Sequence, residues 1–300
     1  SNYHGEMTCG ENVNEYTSFS YILFIILSLI IIVPFLIIVS VSFSNEKDVI
    51  TNGYKLIPEH FSLGAYKYIL SSPRTIVNAY KVTIIYSVVA TFCGVLLMAM
   101  IAYPLSQKAM PARKAVSFIL FFTMLFSGGL VPTYLLISKY LHLSDTIWVY
   151  VLVGLISPWY VFMMRTFFQD LPNEIIESAL VDGANDYMIF FKFILPLSKP
   201  ILATVALFVF LAKWNDWYTA LLYINDESLV SLQYLLQKIM QNIQLIQNSE
   251  FAASNANVSE IPSETVRMAM AIIVAGPAMV VFPFFQKYFV KGLTVGSVKG

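Results

Sequence analysis

Six apolar runs set the terms for this chain: residues 19–42, 76–103, 115–138, 146–168, 197–224 and 265–288. A helix rises about 1.5 Å per residue, so about 20 apolar residues cross a hydrocarbon layer roughly 30 Å thick. Each run meets that length, which predicts an all-α membrane protein with six transmembrane helices. Composition agrees. Of the 300 residues, 58% are hydrophobic and 12% charged. That is about half the charge of a soluble domain, so lipid must solvate much of the apolar excess. Net charge is zero and gives no reason to expect nucleic acid. Cys9 and Cys93 do not suggest a disulfide framework. The first run is too long for a signal-peptide core and lacks a basic flank before it, so no cleavable leader is expected.

The runs divide the rest of the chain. Residues 1–18 form a polar tail. Residues 45–74 are polar and contain LIPEHFSLGAYKYIL, a candidate short amphipathic helix at the membrane surface. A basic loop, PLSQKAMPARK, follows the second run, and KYLHLSD joins the third to the fourth. Residues 225–263 are a long Gln-, Asn- and Ser-rich excursion, and FVKGLTVGSVKG ends the chain. Six spans put both termini on one side, with the basic loop and the segment 170–196. Basic residues favour that side by nine to seven, which supports a cytoplasmic placement weakly.

Segment 170–196, DLPNEIIESALVDGANDYMIFFKFILP, carries five of the eighteen acidic residues. It reads as two short helices joined at Gly183, the residue that most easily ends a helix in the left-handed region. Asp170 is a candidate cap, with Pro172 in the first turn. Ile175, Ile176, Ala179 and Leu180 share one face, with Glu174, Glu177 and Ser178 opposite. Asn185 or Asp186 caps the second helix, and Pro196 limits it.

Three runs are interrupted near their middles: at Ser127, Gly128 and Gly129 before Pro132; at Gly154 and Ser157 before Pro158 and Trp159; and at Gly276 before Pro277. Broken helices meeting at one depth mark a substrate pathway, although glycine and proline also merely kink membrane helices. Intramembrane charge is scarce. Lys213 and Asp216 lie on one helical face and can pair. With them stand Trp214, Asn215, Trp217 and Tyr218, a set that could stack on and hydrogen-bond a sugar, or form an aromatic belt. Residue 214 lies eighteen residues beyond Pro196. That is about 27 Å along a helix, close to the far interface, which favours a belt or outer vestibule.

Catalytic signatures are missing: no GxxxxGK[ST], HExxH, GxSxG, GxGxxG or metal-spaced Cys/His set occurs, and His4, His60 and His142 are isolated. Glu174, Glu177, Asp182 and Asp186 are read as a solvated face, not a catalytic cluster. The expectation is a conduit with no catalytic residues, no metal and no cofactor of its own.

ESALVDGANDYMIFFKFILP resembles the EAA loop of the integral membrane subunits of binding-protein-dependent ABC importers. That pattern is Glu-Ala-Ala, three residues, Gly, nine residues, Ile, one residue, Leu-Pro. Glu177, Ala179, Gly183, Leu195 and Pro196 match in register, with Ser178 for the first Ala and Phe193 for the Ile. FSGGLVPTYLLI, WNDWYTALLYI, PSETVRMA and FPFFQKYFVKGLTVGSVKG extend the resemblance over almost the whole chain beyond residue 18, to the carbohydrate-uptake branch of the LplC/YtcP type.

The resemblance implies a type I importer transmembrane domain. Its core would be 76–290, after a first helix and extracytoplasmic segment at 19–75, with a cytoplasmic tail at 291–300. Segment 170–196 would be the cytoplasmic coupling helix, with Glu177, Ser178, Ala179, Asp182, Gly183, Ala184, Leu195 and Pro196 engaging the ATPase. The ridge Ile175–Ile176–Ala179–Leu180 would enter its groove, and Leu195–Pro196 would start the fifth span. Implied partners are a second, non-identical permease, a cytoplasmic ATP-binding cassette dimer that holds ATP and Mg, an extracytoplasmic solute-binding protein and membrane lipid. The implied location is the cytoplasmic (inner) membrane with both termini inside. Candidate pathway residues are Ser127, Gly128, Gly129, Ser157, Trp159, Asn215, Asp216, Trp217 and Gly276. The alternatives are an importer of a peptide or polyamine, a secondary transporter using Asp216 or Glu264, and a membrane enzyme acting on lipid-linked sugars.

Overall fold

A computed structural model describes residues 4–71, 73–247 and 262–295. The outermost residues of both expected tails, and 248–261 of the polar excursion, lie outside the described residues. The described chain is helical, with one isolated antiparallel bridge between Ser44 and Phe61. In order the helices are α1 (His4–Ser42), α2 (Glu46–Asn52), α3 (Gly64–Ile69), α4 (Pro73–Ser106), α5 (Arg113–Leu125) and α6 (Leu130–Tyr140). Then come α7 (Ile147–Leu152), α8 (Pro158–Gln169), α9 (Asn173–Val181), α10 (Asp186–Leu197) and α11 (Lys199–Trp214). The last are α12 (Tyr218–Tyr223), α13 (Leu232–Gln247) and α14 (Ser263–Val295).

Breaks divide three of the six expected spans, 115–138, 146–168 and 197–224. Among the described residues, three helices are long and apolar enough to cross a membrane: Phe19–Ser42 of α1, α4, and Ser263–Val281 of α14. Two bent pairs raise the number to five if each is one span: α5 with α6, at 112°, and α10 with α11, at 79°. The run 146–168 is two helices, α7 and α8, separated by residues 153–157. Local chemistry explains the interruptions. Gly129 and Gly154 have φ of +84° and +68°, where an L side chain is strained, and Pro158 opens α8 with a nitrogen that has no proton to leave unpaired.

The expected break at Gly276–Pro277 does not occur, because α14 continues through both Pro277 and Pro283. A proline weakens the hydrogen bonding of the preceding turn. In the turn before Pro277 the Trp214 indole Nε1–H donates to the Val274 carbonyl at 3.0 Å, which ties α14 to α11.

The chain forms two compact units. One holds α1 to α3 with α14 up to Ile273 and α13 from Met240. The other holds α4 to α12, α13 up to Ile239, and α14 from Val274. In the first unit, residues 19–32 of α1 are exposed on every face, which suits lipid and not water. The expected surface helix at 56–70 is shorter than its apolar pattern: only Gly64–Ile69 of that stretch is helical, with α2 as a separate helix before it. Glu46 caps α14. Its carboxylate accepts the N–H groups of Glu264 and Thr265, both at 2.9 Å, and the hydroxyls of Thr265 and Ser263 at 2.6 and 3.2 Å. Glu264, considered above for proton coupling, accepts Tyr54 Oη–H at 2.6 Å and Arg267 at 3.3 Å. The hydrogen bond to Glu264 raises the Tyr54 hydroxyl above its usual value.

In the second unit α4 is the central element, packed against α7, α8 and α11. Small residues line its buried side: Ala79, Ala90, Gly94, Ala99 and Ala102. Such residues let membrane helices approach closely. Gly94 is required by contact, since a Cβ there would come within 2.9 Å of the Leu155 carbonyl oxygen. The chain break at 153–157 thus sits directly on α4.

Candidate functional site

Segment 173–197 forms the elbow that its pattern predicts, with a different start and finish. α9 begins at Pro172, whose backbone is extended, and Asp170 instead ends α8. α9 closes at Gly183, φ +81°, with Gly183 N–H bonded to Leu180 O at 3.0 Å and Ala184 N–H to Ala179 O at 2.9 Å. These two bonds are the complete Schellman closure that a glycine at this position permits. Asn185 caps α10 by accepting Met188 N–H at 2.8 Å. Ser178 turns its hydroxyl back to Ile175 O at 3.1 Å, so a serine costs little where the EAA pattern has alanine.

Pro196 does not limit α10. A π turn over Phe190–Ile194 precedes it, the helix reaches Leu197, and the bend falls at Ser198. The long helix of the fifth run therefore starts at Lys199 with Pro200 in its first turn, not at Leu195–Pro196. The expected docking ridge divides. Ala179 is buried and Ile176 packs against the same core as Tyr103, Leu105 and Phe168, Ile175 is half-buried, and Leu180 is exposed. The exposed residues are Glu174, Glu177, Ser178, Leu180, Val181 and Asp182, followed by Tyr187 and Met188. A cavity of about 640 Å³ lies beneath, lined by Tyr103, Gln107, Ile176, Leu180, Asp186 and Tyr187 among others.

The second assembly of polar groups is the broken run 147–169. Where α7 stops, its carbonyls lose their helical partners. Lys213 supplies them: Nζ donates to Tyr150 O at 2.7 Å and to Val153 O at 2.6 Å. On the other side of the break, Ser157 N–H points to Met98 Sδ at 3.4 Å. Tyr86 and Tyr150 stack with centroids 4.3 Å apart, and Tyr86 Oη donates to Lys213 O at 3.1 Å. A buried ammonium at a helix C-terminus is stabilised by the end of the helix dipole. The expected Lys213–Asp216 pair is replaced by these bonds, and Asp216 instead accepts Thr219 N–H at 2.9 Å, capping α12. A sequence signal for Lys213 existed, an unpaired cation in an apolar run, but its partners lie about sixty residues away and no spacing rule finds them.

The aromatic cluster divides. Trp214 is a core residue rather than part of a belt, buried with Ala79 and Leu232. Its neighbours Trp217 and Tyr218 are exposed. Asn215 is held by Gln233 Nε2–H at 2.8 Å and itself donates to Leu211 O. These residues sit in a break between α11 and α12 that glycine and proline patterns do not announce. Ser127, Gly128 and Gly129 form the exposed turn between α5 and α6, and Trp159 is exposed at the start of α8. Gly276 lies inside continuous helix. At the opposite end from the elbow, Asp145 accepts the N–H groups of Asn225 and Asp226 at 2.5 and 3.0 Å, which hold its carboxyl below the usual range.

A helical chain with several apolar helices long enough to cross a membrane, broken runs and a structured amphipathic elbow has the build of a multi-pass membrane protein. The chain belongs to the family of binding-protein-dependent transport system inner membrane components, which matches residues 83–295. It is 38% identical over 273 residues to the polygalacturonan/rhamnogalacturonan transport system permease protein YtcP of Bacillus subtilis, covering 91% of this chain and 94% of that one. It is 38% identical over 274 residues to the protein LplC of the same organism, covering 90% of each. Among solved structures it resembles a bacterial ABC transporter involved in the import of the acidic polysaccharide alginate. The TM-score is 0.78 and the identity 29%, over 92% of this chain and 97% of that one. The protein is thus a multi-pass inner-membrane permease of the type I ABC fold, and its relatives are transport subunits rather than enzymes.

Proposed function

We propose that this chain is one permease subunit of an ATP-driven carbohydrate importer. It forms half of the translocation pore and couples to a cytoplasmic ATPase through the elbow. The observation that carries the coupling role is the Schellman-closed elbow. It is closed by local hydrogen bonds, it exposes Glu177, Leu180 and Val181, and it follows α8 on one side and leads to the bend into α11 on the other. Closure of an ATPase pair would move it as a body, and α8 and α11 would carry that motion to the breaks at 153–157 and 215–217. ATP must stabilise one pore state over the other for this to work. ATP and Mg stay on the ATPase. A second, non-identical permease and an extracytoplasmic solute-binding protein complete the system, and the elbow and both termini face the cytoplasm.

The sugar assignment rests on relatives named for polygalacturonan, arabinooligosaccharide and galactooligosaccharide transport. Pathway contacts belong near Ser127–Gly129, Ser157, Trp159 and Asn215–Trp217, where backbone and polar groups reach the surface of the run; Gly276 is the weakest member. The test is uptake into proteoliposomes holding both permeases, the ATPase and the binding protein. Oligosaccharide should accumulate only with ATP. Uptake by this chain alone, driven by a pH gradient, would overturn the reading. ATP-driven uptake of a peptide or polyamine in place of sugar would overturn its carbohydrate part.

A further inference from the structure

A second cavity at the elbow end of the molecule, about 890 Å³, lies between the start of α5 and α8. Met110 lines both this cavity and the one under the elbow, which fixes the end of the unit to which it belongs. Its lining contains four cations, Lys108, Arg113, Lys114 and Arg165, and no carboxylate. Arg165 Nη1 is held by Ser117 Oγ at 3.1 Å, which aims the guanidinium. Arg113 Nε is buried from solvent and has no hydrogen-bond partner among the described residues. A buried guanidinium nitrogen without an acceptor is costly, and gathering like charges adds to the cost. The arrangement is the complement of an anion with several oxygens, since a guanidinium fork fits phosphate.

The rest of the wall is apolar. Phe118 and Phe121 of α5, a helix with no buried residue, and Phe162 of α8 continue from the cations. A free phosphate would have no use for that half. A phospholipid has both parts: a charged headgroup and a chain to lie on exposed aromatic rings. We propose that this pocket is a binding site for an anionic phospholipid of the leaflet on the elbow side. Arg113 and Arg165 grip the phosphodiester, and Lys108 and Lys114 add charge at the rim. Because the pocket adjoins the elbow through Met110, occupancy would brace the α4–α5 loop beside the coupling segment.

The test uses the assembled transporter, purified and stripped of lipid, with phosphatidylglycerol or phosphatidylcholine added back and retained lipid counted by native mass spectrometry. Arg113→Gln with Arg165→Gln should weaken phosphatidylglycerol retention about thirtyfold, at the usual worth of a cation near a lipid surface, and leave phosphatidylcholine unchanged. If that variant fails to assemble, Lys108→Gln with Lys114→Gln, both exposed, should still weaken retention severalfold, less than the arginine pair because salt screens exposed charges. Unchanged phosphatidylglycerol retention in either assembled variant would overturn the proposal. So would displacement by glycerol phosphate as readily as by short-chain phosphatidylglycerol, which would make this a site for free anions. Loss of the ATPase with lipid retained would assign the patch to protein docking instead. Retention needs no transported solute, so a failure of the carbohydrate reading leaves this result standing.

Discussion

α11 has two ends built on opposite plans. At the elbow end, order comes from local bonds: the Gly183 closure, the Asn185 cap and the π turn before Pro196 lie within a few residues of their partners. The outward face is left free, and Val181 is 88% exposed. At the far end, order comes from distance. Lys213 bonds to α7, Trp214 bonds to α14, and Trp214 is 1% exposed. The contrast separates what is held from what is presented. A segment can offer apolar surface to a partner only if its shape does not depend on burying that surface. A helix end that bears on a chain break must be satisfied from inside.

The sharpest way to break this comparison is Gly183→Pro. Proline cannot adopt φ +81° and removes the N–H that bonds Leu180 O. A local cost of about 3 kcal/mol or more corresponds to about a hundredfold loss of the native elbow. ATP hydrolysis by the assembled transporter should continue while uptake falls. Tight coupling in this variant would sink the lever. Gly183→Ala keeps the N–H and should cost only about 1–2 kcal/mol. Next is Lys213→Met, which leaves the Tyr150 and Val153 carbonyls without their donor. Thermal unfolding in detergent should register about 2 kcal/mol of lost stability; an unchanged midpoint would mean that water replaces the ammonium.

Val181→Ser should do the reverse. Stability should not move, while ATPase affinity falls about tenfold through loss of roughly 1.5 kcal/mol of apolar burial. Trp214→Phe sharpens the other side: about 1 kcal/mol of stability is lost with the Val274 bond, and ATPase affinity stays constant. The smallest effect is pH-dependent. Asp145 has a lowered carboxyl pKa, so its contribution is complete above the ordinary carboxylate value of about 4 and fades as pH falls through the lower folded value. Unfolding midpoints of the wild type and Asp145→Ala, compared from neutral to acidic pH, should converge only in that acidic range.

The sequence by itself determined the solvent, because six apolar runs leave lipid as the only place for so much hydrocarbon. It also determined the elbow and its glycine hinge, and the breaks at Gly129 and Gly154, because backbone conformation there is set by neighbouring residues. Only the tertiary structure decided the rest. Pro277 marks a break in the sequence yet sits in unbroken helix, and Trp214 bonds the Val274 carbonyl sixty residues further along the chain. Lys213 has Asp216 three residues away yet serves carbonyls 63 and 60 residues away. The apolar ridge of α9 splits, with Ala179 buried and Leu180 exposed, since the side of an amphipathic helix that meets protein is fixed by what packs beside it. Backbone conformation is a local matter, but the partner of a buried polar group is whichever donor or acceptor the fold brings within 3 Å.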